Sequence, residues 1–126
     1  MTMQTFDTSS VSSRSVLGVS DLTADEIGAI TRDALRGKLS PPDRGALDGV
    51  GAALLFEKPS LRTRASFEFG LGGLGANVVY FDLASQRIGV RESVKDYAKN
   101  LERWCDIVIA RVYDHNVLVE LAEHAS

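Results

Sequence analysis

Val50-Gly51-Ala52-Ala53-Leu54-Leu55-Phe56-Glu57-Lys58-Pro59-Ser60-Leu61-Arg62-Thr63-Arg64-Ala65-Ser66-Phe67-Glu68 is the stretch that decides the fold. Its first seven residues form an apolar run that reads as a buried strand. Beyond it, Phe67, Leu71 and Leu74 recur at helical spacing. Between the two lies a basic, hydroxyl-rich turn, with two guanidinium groups and two hydroxyls inside Ser60–Arg64. Free N–H groups and the positive dipole end at a helix start attract anions, and arginine adds a planar fork of donors. The turn is therefore a candidate site for a small phosphorylated ligand. The bland alternative is a solvated helix start whose charges are incidental. Arg62 and Arg64 stand two apart and leave a helix in different directions, so one at most is expected to face the ligand.

Working outward, Thr23 and Glu26 form a capping-box pair that predicts a first helix, with Ile27, Ile30 and Ala34 on one face and Gly37 as its stop. Ser40-Pro41-Pro42-Asp43 reads as a loop. The first strand is expected over Gly51–Phe56 and the second helix from Leu61 to about Gly72. Ala76–Phe81 is rich in β-branched and aromatic residues and reads as a second strand. A polar loop, Asp82–Arg91, leads to a third helix starting near Glu92 or Ser93. Asp106–Arg111 is a third strand, and Asp114 is placed to cap a last helix. This alternation predicts an α/β fold: a parallel sheet with helices on both faces. In such sheets ligands gather at the carboxyl ends of the strands, where the Ser60–Arg64 turn, the 82–91 loop and Arg111 all fall. The chain ends at Ser126, before the fourth strand that the pattern would supply.

With 126 residues, 44% hydrophobic and 25% charged, the chain has the size and make-up of one modest soluble domain. A net charge of −3 argues against a nucleic-acid partner, and no apolar run approaches a membrane span. The single Cys105 excludes an internal disulfide and reads as a small buried hydrophobe. His115 and His124 have no metal-ligand spacing, so no metal is expected. The Ser/Thr-rich residues 1–16 lack the apolar centre of a secretory signal and are expected to be a disordered tail. The glycines of Gly70-Leu71-Gly72-Gly73-Leu74-Gly75 close a helix instead of opening one, which rules against a dinucleotide loop and predicts a C-cap and turn.

The run Phe56–Arg64, continued by Ser66-Phe67-Glu68, resembles the Ser-x-Arg-Thr-Arg signature of aspartate and ornithine carbamoyltransferases. Gly89-Val90-Arg91-Glu92-Ser93-Val94-Lys95-Asp96, then Ala98, Leu101, Arg103 and the Asp106–Arg111 strand, is similar to the family's next block. Both blocks lie closer to the ornithine enzymes, and the similarity runs from about Leu17 to Ser126. The resemblance implies a carbamoyl-phosphate-binding domain over residues 17–126, incomplete and without the amino-acid-binding second domain or the His-Pro-x-Gln motif. It implies that Ser60, Leu61 (through its backbone), Arg62, Thr63 and Arg111 hold carbamoyl phosphate, with Arg62 and Arg111 catalytic and Arg64 supporting. Leu61 departs from the family's commoner threonine. The family's glutamine that reaches a neighbouring subunit's site maps to Gln86, or is replaced by Arg87.

For a complete enzyme the implied reaction is carbamoyl phosphate plus L-ornithine to L-citrulline plus phosphate, in arginine biosynthesis. The implied assembly is a cytoplasmic homotrimer using no cofactor. These residues alone are expected to bind carbamoyl phosphate weakly and to be inactive, with L-ornithine engaged only if the missing domain is supplied. The alternative is a non-catalytic module that pairs with a full-length subunit or a separate second domain.

Overall fold

In the computed structural model, residues 14–125 are described, and they divide into two compact units between Pro42 and Asp43. The expected tail lies mostly outside the described residues. Of its described part, Arg14 bonds the Glu26 carboxylate at 2.8 Å and the Asp21 carbonyl at 2.9 Å.

The first unit holds a short 3-10 turn, Val19–Asp21, and α1, Ala24–Leu39. The expected capping box is present: Glu26 N–H donates to Thr23 Oγ1, and Thr23 N–H donates to Glu26 Oε2. Gly37 does not end α1. The helix continues to Leu39, where Ser40 N–H closes on the Arg36 carbonyl. A glycine inside a helix costs only about 1 kcal/mol, whereas the residue before a proline is driven out of helical geometry. Pro41, one residue after Ser40, sets the boundary.

The second unit carries β1 (Gly51–Phe56), α2 (Leu61–Gly73), β2 (Asn77–Asp82), α3 (Val94–Trp104), β3 (Ile107–Arg111) and α4 (His115–His124). The strands form one parallel sheet in the order β2-β1-β3. Central β1 is buried from Ala52 to Phe56, as an uninterrupted apolar run requires of a strand covered on both faces. Ala53 and Leu55 point to one face and pack with Val94, Ala98 and Leu101 of α3 and Leu121 of α4. Leu54 and Phe56 point to the other face. Tyr80 lies beside Leu54 in register, meets the Phe56 ring edge-on at 5.5 Å, and is covered by Arg64 of α2. Helices therefore flank both faces, as the alternation predicts.

β1 and the start of α2 fall where expected, and several other ends differ by a residue or two. α2 runs to Gly73 and finishes in a Schellman motif. Gly75 N–H bonds the Gly72 carbonyl, Ala76 N–H bonds the Leu71 carbonyl, and Gly75 takes φ +97°. Because Ala76 spends its N–H on this cap, β2 starts at Asn77 and extends to Asp82. Asp106 likewise precedes β3: its carboxylate accepts from Gly51 N–H at 2.8 Å, tying the start of β1 to that of β3. α3 starts at Val94, with Ser93 as the cap accepting from Asp96 N–H, and Asp114 caps α4 through Asn116 N–H.

Candidate functional site

The carboxyl ends of the three strands lie level, with Asp82, Phe56 and Arg111 side by side in register. β1 leaves this edge through Glu57, Lys58 and Pro59 into α2. Ser60 occupies the N-cap with extended backbone, yet its hydroxyl does not cap the helix; it donates to Thr63 Oγ1 at 2.8 Å. The first backbone bond of α2 is Arg64 N–H to the Ser60 carbonyl. The N–H groups of Leu61, Arg62 and Thr63 have no acceptor among the described residues, and the first turn holds no acidic side chain. Such a turn is short of negative charge.

The two arginines of the turn part company, as their spacing requires. Arg64 lies back along α2, donating through Nε to Glu68 Oε2 at 2.9 Å, with its guanidinium carbon 3.5 Å from the Tyr80 ring centre. The bond to Glu68 raises its already high pKa, against a smaller opposing effect of burial. Arg64 thus braces α2 on the sheet. Arg62 is exposed and makes no ion pair among the described residues. Of the two arginines of the turn, it is the one without a carboxylate partner there.

Arg111 ends β3 beside Phe56, so its side chain leaves the sheet on the face that α2 covers. Leu61 is 84% exposed at the first helical position, where its side chain offers no polar group. Gln86 sits elsewhere. With Phe81, Arg91, Tyr97 and Trp104 it lines a cavity of about 230 Å³ on the α3 side of the sheet, and is not gathered with Ser60–Thr63. Arg87, a further lining residue, stacks on the Tyr113 ring at 4.1 Å. In the same cavity burial, with Glu92 nearby, pushes the Tyr97 phenol upward.

Glu57 and Tyr113 also belong to this edge, although their residue types and spacing do not mark them as site residues. Glu57 is the one buried charged residue among those described; its carboxylate accepts from Ile88 N–H and Tyr113 N–H. Lys58 Nζ lies 4.7 Å from the Tyr113 ring centre, so Tyr113 carries two cations at this edge. The only local signal is a carboxylate set directly after a fully apolar strand.

Cys105 is half-buried, its Sγ donating to the Leu101 carbonyl at 3.2 Å, and burial raises its pKa. No cluster of metal-ligating side chains exists among the described residues, and none of their helices is long and apolar enough to cross a membrane.

Residues 14–126 match the family model "Aspartate/ornithine carbamoyltransferase, carbamoyl-P binding domain". An ornithine carbamoyltransferase of Shewanella oneidensis is 42% identical over 108 residues, which cover 85% of this chain and 36% of that protein. The anabolic ornithine carbamoyltransferase of Pyrococcus furiosus is 36% identical over 121 residues, covering 93% of this chain and 38% of the relative. Among solved structures, the ornithine carbamoyltransferase of Thermus thermophilus superposes with a TM-score of 0.79 at 42% identity, over 87% of this chain and 38% of that one. The chain thus spans a little over a third of the length of the relatives it matches. A parallel sheet with a bare, basic, hydroxyl-bearing helix start at its carboxyl edge, and a family match over nearly its whole length, agree: the chain belongs to the carbamoyl-phosphate-binding domain family of the aspartate and ornithine carbamoyltransferases.

Proposed function

We propose that this chain seats carbamoyl phosphate at the first turn of α2. The observation that carries the reading is that, among the described residues, the N–H groups of Leu61, Arg62 and Thr63 have no acceptor and the Arg62 guanidinium beside them has no ion pair. The phosphate takes these donors and the Thr63 hydroxyl, the Ser60 hydroxyl turns its one O–H from Thr63 to the ligand, and Arg111 reaches the same ligand from the end of β3. Arg64 supports the site without touching the ligand.

In a complete enzyme of this kind, the δ-amine of L-ornithine attacks the carbamoyl carbon. The new C–N bond forms as the C–O bond to phosphate breaks; the amine gives up a proton, and L-citrulline and phosphate result. Arg62, Arg111 and the α2 N–H groups stabilise the charge gathering on the departing phosphate. Ornithine as the acceptor rests on likeness to the ornithine carbamoyltransferases. The same likeness supports a cytoplasmic homotrimer in arginine biosynthesis, with Gln86 or Arg87 reaching toward a neighbouring subunit's site. The chain spans a little over a third of the length of these relatives, so binding with little or no turnover is expected of these residues by themselves.

Calorimetric titration of the chain with carbamoyl phosphate tests the reading. Saturable one-site binding, displaced by inorganic phosphate, is expected; a folded chain that gives no binding heat and no competition contradicts it. The Leu61 departure adds a second expectation. Leu61→Thr restores a hydroxyl at the first helical position and is expected to tighten binding by about three- to tenfold, the range of one added net hydrogen bond. A ratio of affinities near one in the same titration would mean that the side chain at this position never meets the ligand.

A further inference from the structure

Glu57 is 2% exposed, and burying an unpaired carboxylate is costly. Here each oxygen accepts one backbone N–H from a different loop: Oε1 from Ile88 at 2.9 Å and Oε2 from Tyr113 at 2.9 Å. Its own N–H donates to the Arg111 carbonyl at 2.9 Å. One residue at the end of the central strand therefore ties together the turn into α2, the 82–91 loop and the segment after β3. The tied positions are not arbitrary. Ile88 follows Arg87, Tyr113 stands two residues after Arg111, and Lys58 follows Glu57 itself. The Tyr113 ring, held by its N–H to Glu57, lies against both the Lys58 ammonium and the Arg87 guanidinium. A carboxylate suits this place because it only accepts, whereas a glutamine amide would turn donors toward one of the two N–H groups.

We infer that Glu57 is a positioning residue. Its buried carboxylate clamps the 82–91 loop and the Val112–Tyr113 segment to the end of β1, and so fixes Arg111 and the Lys58–Tyr113–Arg87 cluster at the carboxyl edge where an anion binds. The inference rests on carbamoyl phosphate binding at this edge. It carries a reciprocal consequence: if the clamped arrangement is the one that binds, the ligand must in turn tighten the clamp.

The test combines calorimetry with amide hydrogen exchange read at Ile88 and Tyr113, on the wild-type chain, Glu57→Gln and Arg62→Ala. In the wild type, saturating carbamoyl phosphate is expected to slow exchange at both amides. Glu57→Gln is expected to speed exchange at one or both by about tenfold and to weaken carbamoyl phosphate by about tenfold or more, the scale of one hydrogen bond to a charged group. Arg62→Ala is expected to weaken binding while leaving ligand-free exchange at the two amides unchanged, which separates contact from positioning. Two outcomes overturn the inference while leaving the phosphate site standing. One is a folded Glu57→Gln chain whose affinity stays within about twofold of wild type, less than one net hydrogen bond. The other, which serves even if that variant does not fold, is a wild type that binds but shows unaltered exchange at Ile88 and Tyr113. No binding by the wild type overturns the site itself and this inference with it.

Discussion

Arg62→Ala is expected to weaken carbamoyl phosphate binding by about 10- to 100-fold, since a hydrogen bond to a charged group contributes about 1.5–3 kcal/mol. The fold should not notice. Arg62 is exposed and unpaired among the described residues, so its loss is expected to change stability by less than about 0.5 kcal/mol. Arg62→Lys keeps the charge but loses the planar fork, and is expected to recover only part of the affinity. Arg64→Ala supplies the contrast. It breaks the pair with Glu68 and the stack on Tyr80, so stability falls while affinity changes less. Titration calorimetry beside thermal melting of the three variants checks the pattern. Equal affinity in Arg62→Ala and wild type would remove this arginine from the site.

Gly75→Ala should be the most damaging small substitution in the second unit. Gly75 sits at φ +97°, a conformation that costs a residue with a Cβ about 1–3 kcal/mol. The added Cβ would also meet the Asp48 carboxylate and lie 3.0 Å from the Arg44 carbonyl oxygen. Asp48 can swing away. The Arg44 backbone is less free, because the neighbouring Leu47 N–H is bonded to the Leu74 carbonyl at 2.8 Å. A loss of at least about 2 kcal/mol is expected, read as a lower urea midpoint at unchanged slope. Gly70→Ala should act the other way. A Cβ there meets nothing within 4 Å, and replacing a mid-helix glycine stabilises by about 0.5–1 kcal/mol. Similar midpoints for the two variants would contradict the assigned helix end.

Much of this architecture was legible because its signals are local. The continuous apolar run of β1 marks a central strand by itself, and Thr23, Ser93 and Asp114 cap the helices that follow them, as their residue types suggest. Ends decided by competition for a backbone group were less legible. Ala76 could have opened β2, but the Schellman motif takes its N–H, and Gly37 could have closed α1, but Pro41 decides. At the site, spacing alone required Arg62 and Arg64 to diverge. Which of them stays available depends on Tyr80, which reaches Arg64 only through the sheet register. Glu57 was illegible for a different reason. Its partners are backbone N–H groups 31 and 56 residues away, and a backbone donor leaves no mark in the side-chain sequence. The cavity holding Gln86 and Arg91 likewise emerges only when α3 is packed onto β2.

An amide NMR titration of the isotopically labelled chain with carbamoyl phosphate locates the bound anion. The two basic regions of the second unit, the first turn of α2 and the cavity between the 82–91 loop and α3, lie on opposite faces of the sheet and report through different amides. The largest shifts, growing in step with saturation, are expected on Leu61, Arg62, Thr63 and Arg111. Shifts centred instead on Arg91, Tyr97, Asn100 and Trp104, with the α2 turn unmoved, would contradict the proposed site and place the anion in the cavity.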